Sequence, residues 1–161
     1  MCELSTQGKG RAILETDWRK GEISMNKEVI KSEVMQAETN LLTALRQGEL
    51  LKGVAMHLNS PDYRNIWNGE VKTYDMLEAR IKAGLEKGLK SIDYQVQSRD
   101  ISFINSDNVL ETLSVTETTT MADGNSATSG ITAVTILWQR IDNGWRVGYL
   151  HASELPKEIK V

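Results

Sequence analysis

The chain has 161 residues, 40% of them hydrophobic and 25% charged, with a formal net charge of -3. That length suits one domain burying roughly 70% of the surface its unfolded chain exposes, so no metal or disulfide is needed to hold it. The mild acidity and the lack of any basic cluster beyond short pieces such as Arg19-Lys20 argue against nucleic acid, whose phosphates call for clustered Lys and Arg. Cys2 is the only cysteine, which excludes an intrachain disulfide and thiolate metal sites and fits a cytoplasmic protein. No run approaches the ~18 apolar residues of a membrane span, and the first residues lack the apolar stretch of a signal peptide.

Residues 1–24 show no sustained period and read as a loosely docked extension, a lid or a dimer arm; Ile13, Leu14 and Trp18 form one short apolar patch. From Asn26 the pattern turns helical. Ile30, Val34, Ala37, Leu41 and Leu45 recur every three or four residues, with Asn26 placed to cap the start and Gly48 to end it. A shorter helix is expected over Leu50 to Leu58, with Leu50, Leu51, Val54 and Leu58 inward and His57 on it. Pro61 breaks that helix, and Tyr63 to Gly69 reads as a short extended segment carrying Tyr63 and Trp67. A third helix is expected from Thr73, a good cap, through Tyr74, Leu77, Ile81 and Leu85 to Gly88.

After Gly88 the period becomes two. Ile92, Tyr94 and Val96 share one face, while Ile101 and Phe103 take the opposite parity, which predicts a bulge near Ser98 to Asp100. The next strand, Val109 to Met121, puts Glu111 and Glu117 on the apolar face and Thr112, Ser114, Thr116, Thr118 and Thr120 on the other. A turn over Ala122 to Ser126 follows. The run from Ile131 to Ser153 reads as a hairpin with Trp138 and Trp145 on its arms and an Asp142-Asn143-Gly144 turn. Three helices followed by four long antiparallel strands give an α+β layer plan.

This order of elements, with Asn68-Gly69-Glu70 after the aromatic segment and Trp138, Asp142-Asn-Gly144-Trp145-Arg-Val147 and His151-x-Ser153 in the hairpin, resembles the nuclear transport factor 2-like superfamily. Within it the chain is most similar to SnoaL-like and ketosteroid isomerase-like domains and to the calcium/calmodulin-dependent kinase association domain. The resemblance spans Asn26 to Pro156, so the expected organisation is an extension over 1–24, the domain over 25–156 and a tail over 157–161. It implies an α+β cone, a curved antiparallel sheet wrapped around the long first helix, with two further helices and a pocket at the open end. It also implies a homodimer through the outer face of the sheet, for which the Thr-rich and Val134/Ile136/Trp138 faces are candidates.

The same scaffold hosts isomerases, cyclases, dehydratases, hydrolases and purely assembling domains, so the resemblance supplies no reaction. The acid-base trio of the isomerases has no position-by-position match here. Chemistry must be sought in the inward polar groups. Glu111 and Glu117, if buried without a cation, would hold raised pKa values suited to general acid-base work; alternatively water, Arg140 or Arg146 satisfies them. His151 shares strand parity with Trp145, Val147, Tyr149 and Ser153, and is open to a proton-transfer role or to a structural hydrogen bond at the strand end. His57 faces either the pocket mouth or solvent. Tyr63, Trp67 and Tyr74, with Trp145 and Tyr149, are candidate walls for a small apolar or aromatic ligand, or simply core.

No phosphate loop, nucleophile elbow or His-Glu-x-x-His motif is present, and no cofactor or metal is expected. Two readings stay open. One is a homodimeric small-molecule-binding or assembly module. The other is a cofactor-independent cyclase, isomerase or dehydratase, with Glu111 or Glu117 as base and Tyr63, Tyr149 or His151 as donor to a developing oxyanion.

Overall fold

Helix α1 (Glu15–Arg46) lies inside a curled, unclosed seven-stranded sheet and packs against its strands. The computed structural model describes residues 15–142 and 144–154, with side chains from Asn26 onward. The apolar patch expected at Ile13 and Leu14 and the tail over 157–161 lie outside the described residues. The apolar stripe of α1 faces inward as its spacing requires: Ile30, Val34, Leu41 and Ala44 are buried, and Ala37 and Leu45 pack on that core. The described helix already runs from Glu15, ahead of the Asn26 cap the sequence suggests; residues 15–25 contain no proline, and their one glycine costs only about 1 kcal/mol. It ends as expected at Gly48, whose φ of +82° suits glycine and whose α-carbon sits against the Lys90 carbonyl.

Helix α2 (Leu50–Ala55) is shorter than its sequence suggests. Leu50 and Val54 are buried, but Leu51 is exposed, so the inward set is narrower than expected. The helix stops because the next residues pair with another element: Leu58 N–H donates to the Val147 carbonyl at 2.8 Å and Val147 N–H to the Met56 carbonyl at 3.1 Å. His57 therefore sits just beyond the helix, on a short bridge to Val147. The aromatic segment is strand β1 (Arg64–Trp67), and a tight turn at Asn68 (φ +48°) and Gly69 (φ +86°) returns it as β2 (Glu70–Lys72). Two positive φ values in a two-residue loop are what a twisted hairpin needs. Helix α3 (Tyr74–Glu86) follows, capped by the Thr73 hydroxyl, which accepts from Met76 N–H at 3.4 Å.

The sheet is completed by β3 (Leu89–Phe103), β4 (Asn108–Met121), β5 (Ser126–Thr128), β6 (Thr132–Ile141) and β7 (Gly144–Glu154). The strand order is β2-β1-β7-β6-β4-β3, with β5 on β4 beyond the point where β6 leaves it. All described pairs are antiparallel except β1 with β7. The sequence pattern showed four long strands and missed the short strands β2 and β5, which carry no apolar alternation of their own.

Of the three register shifts among the described strands, the one between Leu89 and Ser91 lies at the start of β3, and the other two decide which site residues face inward. The β3 register shifts between Val96 and Ser98, one residue earlier than the parity change predicts. Ile92, Tyr94 and Val96 therefore share the concave face with Arg99, Ile101 and Phe103 beyond the bulge. The second bulge has no counterpart in the sequence reading. Leu137 pairs with Tyr149 but Trp138 pairs with Val147, so Gly148 is the extra residue in β7. Trp145 and Val147 are buried before it, Ala152 after it, and His151 is exposed. The inserted glycine turns His151 away from the layer of Trp145, correcting the expected shared face.

Val134, Ile136 and Trp138 are also buried on the concave side, which removes them as an outer dimer surface. The convex surface is polar, with Thr112 exposed and Thr116, Thr118 and Thr135 half-buried.

Candidate functional site

The cone encloses a cavity of about 440 Å³, within the range of small-molecule sites. Most of its wall is aliphatic, supplied by α1, α3 and the concave faces of β3, β4 and β6. Leu41, Leu113, Val115, Val134 and Ile136 are typical of that surface. Polar groups enter at three places: Glu38 on α1, His57 with Asn65 and Trp67 between α2 and β1, and Tyr94 with Glu117 and Thr119 on β3 and β4. Arg80 of α3 and Lys87, its C-cap, are exposed and line the rim on the same helical face as Ala83 and Gly84 between them.

Glu38 belongs to a buried charge cluster. Arg99, just past the β3 bulge, binds Glu38 through Nη2 and donates Nε to Glu111 Oε1 at 2.9 Å. Trp138 Nε1 donates to the other Glu111 oxygen at 2.7 Å. Glu111 is wholly buried, both its oxygens are engaged, and it stands behind the cavity wall. Burial is the main cause that raises its pKa, and the Glu38 charge adds to it, against the lowering effects of Trp138 and Arg99. Oε1 of Glu38 is buried with no hydrogen-bond partner among the described residues. The cation that meets Glu111 is Arg99, not Arg140 or Arg146. Arg140 instead donates to Glu33 at 2.7 Å and lies 4.8 Å over the Trp145 ring.

Glu117 does line the cavity. It faces Tyr94 in the register and accepts from the Thr119 hydroxyl at 3.2 Å. Burial, and then the Glu117 charge, holds the Tyr94 phenol in its protonated form, with a pKa well above the usual value. A protonated phenol beside a carboxylate can donate to a bound group or to the carboxylate itself.

His57 is held by its Nδ1, 3.1 Å from the Gly53 carbonyl oxygen. Burial lowers its pKa to about 4, so the imidazole is neutral near pH 7. Its ring meets Tyr63 edge-on at 5.6 Å, and Tyr63 meets Tyr74 in the same way at 6.2 Å. Tyr63 is fully buried, and burial raises its pKa. Tyr63 and Tyr74 thus form an aromatic layer behind His57 and do not touch the cavity.

Of the residues singled out from sequence, the structure puts Glu117, Trp67 and His57 in the cavity wall. Glu111 lies behind it. Trp145 is buried elsewhere, donating Nε1 to Glu33 at 3.1 Å, and Tyr149 and His151 follow the Gly148 bulge away from the cavity. Sequence reasoning passed over Glu38, Arg99 and Tyr94 as site residues. Glu38 carried a readable signal, because it falls four residues after Val34 and three before Leu41, a charge on the apolar stripe. Arg99 shares parity with Ile101 and Phe103, but that parity is informative only once the bulge is placed.

Among the described residues, no helix is long and apolar enough to cross a membrane, and no group of three or more His, Cys, Asp or Glu side chains is placed to hold a metal ion.

A cone of this topology, with a largely aliphatic cavity between helix and sheet, defines a nuclear transport factor 2-like domain. The sequence profile of the SnoaL-like domain matches residues 34–158, and the chain belongs to that family. Solved structures share the fold at low sequence identity. A provisionally assigned scytalone dehydratase from Novosphingobium aromaticivorans superposes with a TM-score of 0.69 at 9% identity, over 80% of this chain and 86% of the other. A nuclear transport factor 2-like superfamily protein from Salmonella enterica gives 0.68 at 14%, over 82% and 95%. A provisionally assigned calcium/calmodulin-dependent protein kinase II association domain from Xanthomonas campestris gives 0.64 at 20%, over 78% and 87%. No curated protein matches the sequence significantly.

Proposed function

We propose that the chain binds a small, mostly apolar molecule inside the cone. The carrying observation is the cavity itself: about 440 Å³ of largely aliphatic wall, interrupted by a few polar groups. Such a wall gains free energy by covering an apolar surface, and the sparse polar groups orient what enters. Naphthalene, titrated by calorimetry or tryptophan fluorescence, is expected to bind saturably at one site per chain. Ala83→Trp places an indole at the exposed, cavity-lining position on α3 and is expected to abolish that binding while leaving thermal stability unchanged. Saturable binding that survives Ala83→Trp counts against the cone as the site.

A second reading, turnover of the bound molecule without a cofactor, draws support from His57 and Glu117. A neutral imidazole and a carboxylate reach the same cavity as the protonated Tyr94 phenol, so proton acceptors and a donor share one apolar space. Glu111 fits this role less well because both its oxygens are occupied. The provisional dehydratase among the structural relatives is compatible with it at the level of fold alone. We also propose a homodimer through the convex face of the sheet, where Thr135, Leu137 and Tyr149 are half-buried and His151 is exposed. A monomer by light scattering at micromolar concentration would overturn it. The single cysteine supports a cytoplasmic location.

A further inference from the structure

What the cavity selects can be read from the polarity of its wall, given that the cavity is the binding site. His57 Nδ1 contacts a carbonyl oxygen, which only accepts, so Nδ1 carries the ring proton and Nε2 keeps its lone pair. Glu38 is 2% exposed, and its Oε1 has no hydrogen-bond donor among the described residues. Glu38 and Glu111 share the one guanidinium of Arg99, so this end of the cavity holds more acceptor than donor. Glu117 adds a third carboxylate, and the hydroxyl donors near it, Thr119 and Tyr94, stand beside Glu117 itself. Arg80 of α3 and Lys87, its C-cap, are exposed, and the Arg80 charge acts on Tyr94, at the Glu117 end of the cavity. The Asn65 amide and the Trp67 indole are donors between α2 and β1, so the shortage of donors falls at the Glu38 end, where a buried acceptor without a donor carries an uncompensated desolvation cost.

We propose that the cavity selects molecules pairing an apolar body with a hydrogen-bond donor, a hydroxyl or a protonated amine, which Glu38 receives where α1 meets Arg99. Acceptor-only and anionic groups of the same size are disfavoured, because they meet carboxylates and a lone pair and cannot satisfy Oε1 of Glu38.

A matched series on one ring tests this: naphthalene, 2-naphthol, 2-naphthylmethylamine, 2-methoxynaphthalene and 2-naphthoate, titrated against the full chain at pH 7. The naphthol or the amine is expected to bind about tenfold tighter than the methoxy compound and the carboxylate. The leader tells the source of the donor, the amine if an ion pair dominates and the naphthol if a neutral hydrogen bond does. Glu38→Gln is expected to shrink that preference to about threefold. Equal or better binding of 2-methoxynaphthalene or 2-naphthoate overturns the proposal but leaves the cavity a binding site, and so does an unchanged preference in folded Glu38→Gln. If no member of the series binds, the cavity reading and this proposal fall together. The ranking on the unmodified protein decides the matter should Glu38→Gln not fold.

Discussion

Glu111 and Glu117 occupy one strand and one face, yet their surroundings are opposite. Glu111 is sealed, with Arg99 on one oxygen and the Trp138 indole on the other, while Glu117 opens on the cavity beside Tyr94 and Thr119. The difference comes from what crosses the strand at each level. At the Glu111 level, β6 brings Trp138 across and the β3 bulge delivers Arg99; at the Glu117 level β6 has ended and β5 covers only the edge. A carboxylate on an apolar face thus becomes structural where the sheet is complete and available where it thins out.

Removing each glutamate separates the two roles. Glu111→Ala leaves the Trp138 N–H unpaired and removes one of the two carboxylates on Arg99, and is expected to cost about 3–5 kcal/mol in urea unfolding. Glu117→Ala is expected to cost less than about 1 kcal/mol and to change ligand affinity instead. A loss below about 1 kcal/mol for Glu111→Ala would show that the cluster around it is not holding the sheet together.

The cavity's opposite wall gives a pH signature. The His57 pKa is lowered to about 4 on folding, so its neutral form is favoured in the native state. That contribution, up to about 3 kcal/mol, is complete above the unfolded value near ~6.5 and is lost as pH falls towards 4. Glu111 works in the other sense: its raised pKa gives stability that is complete below the ordinary carboxylate range and fades as pH rises through its folded value. Unfolding free energies measured from pH 7 to 4 are expected to fall in the native protein and to fall less in His57→Phe. Parallel curves for the two would place the acid sensitivity elsewhere.

How far the sequence reveals this arrangement depends on which local rule governs each residue. The α1 stripe, the Thr73 cap, the Gly48 stop and the two faces of β4 follow from helical or strand period, and the structure agrees with all of them. Leu51 and the end of α2 do not, because pairing of Met56 and Leu58 with Val147 competes with the helix, and that partner is distant in sequence. The separate fates of Glu111 and Glu117 were likewise invisible, since parity fixes a face but not the neighbours across it. His151 is the clearest case. The isolated Gly148 inside the β7 run is the one sign of a bulge there, and one extra residue reverses every assignment beyond it.

That bulge can be tested directly. A Cβ on Gly148 would lie 1.9 Å from Gln139 Oε1, a side chain that donates its amide to Asn108 at 3.2 Å. Gly148→Ala must push Gln139 aside and is expected to cost about 1–2 kcal/mol, with Gln139→Ala restoring most of it. No rescue by the double variant would mean that the strain lies in the backbone and not in this contact.

The smallest effect expected is at His151, and its smallness is informative. Exposed beyond the bulge, the imidazole touches neither the cavity nor the Glu38–Arg99–Glu111 cluster. His151→Ala is therefore expected to stay within about 0.5 kcal/mol of the native stability and to leave naphthalene affinity unaltered. Leu150→Ala, one residue earlier and in the cavity wall, should weaken that affinity measurably. Were the two results reversed, the strand would be one residue out of the register that the Gly148 bulge imposes, and His151 would return to the cavity in place of Leu150.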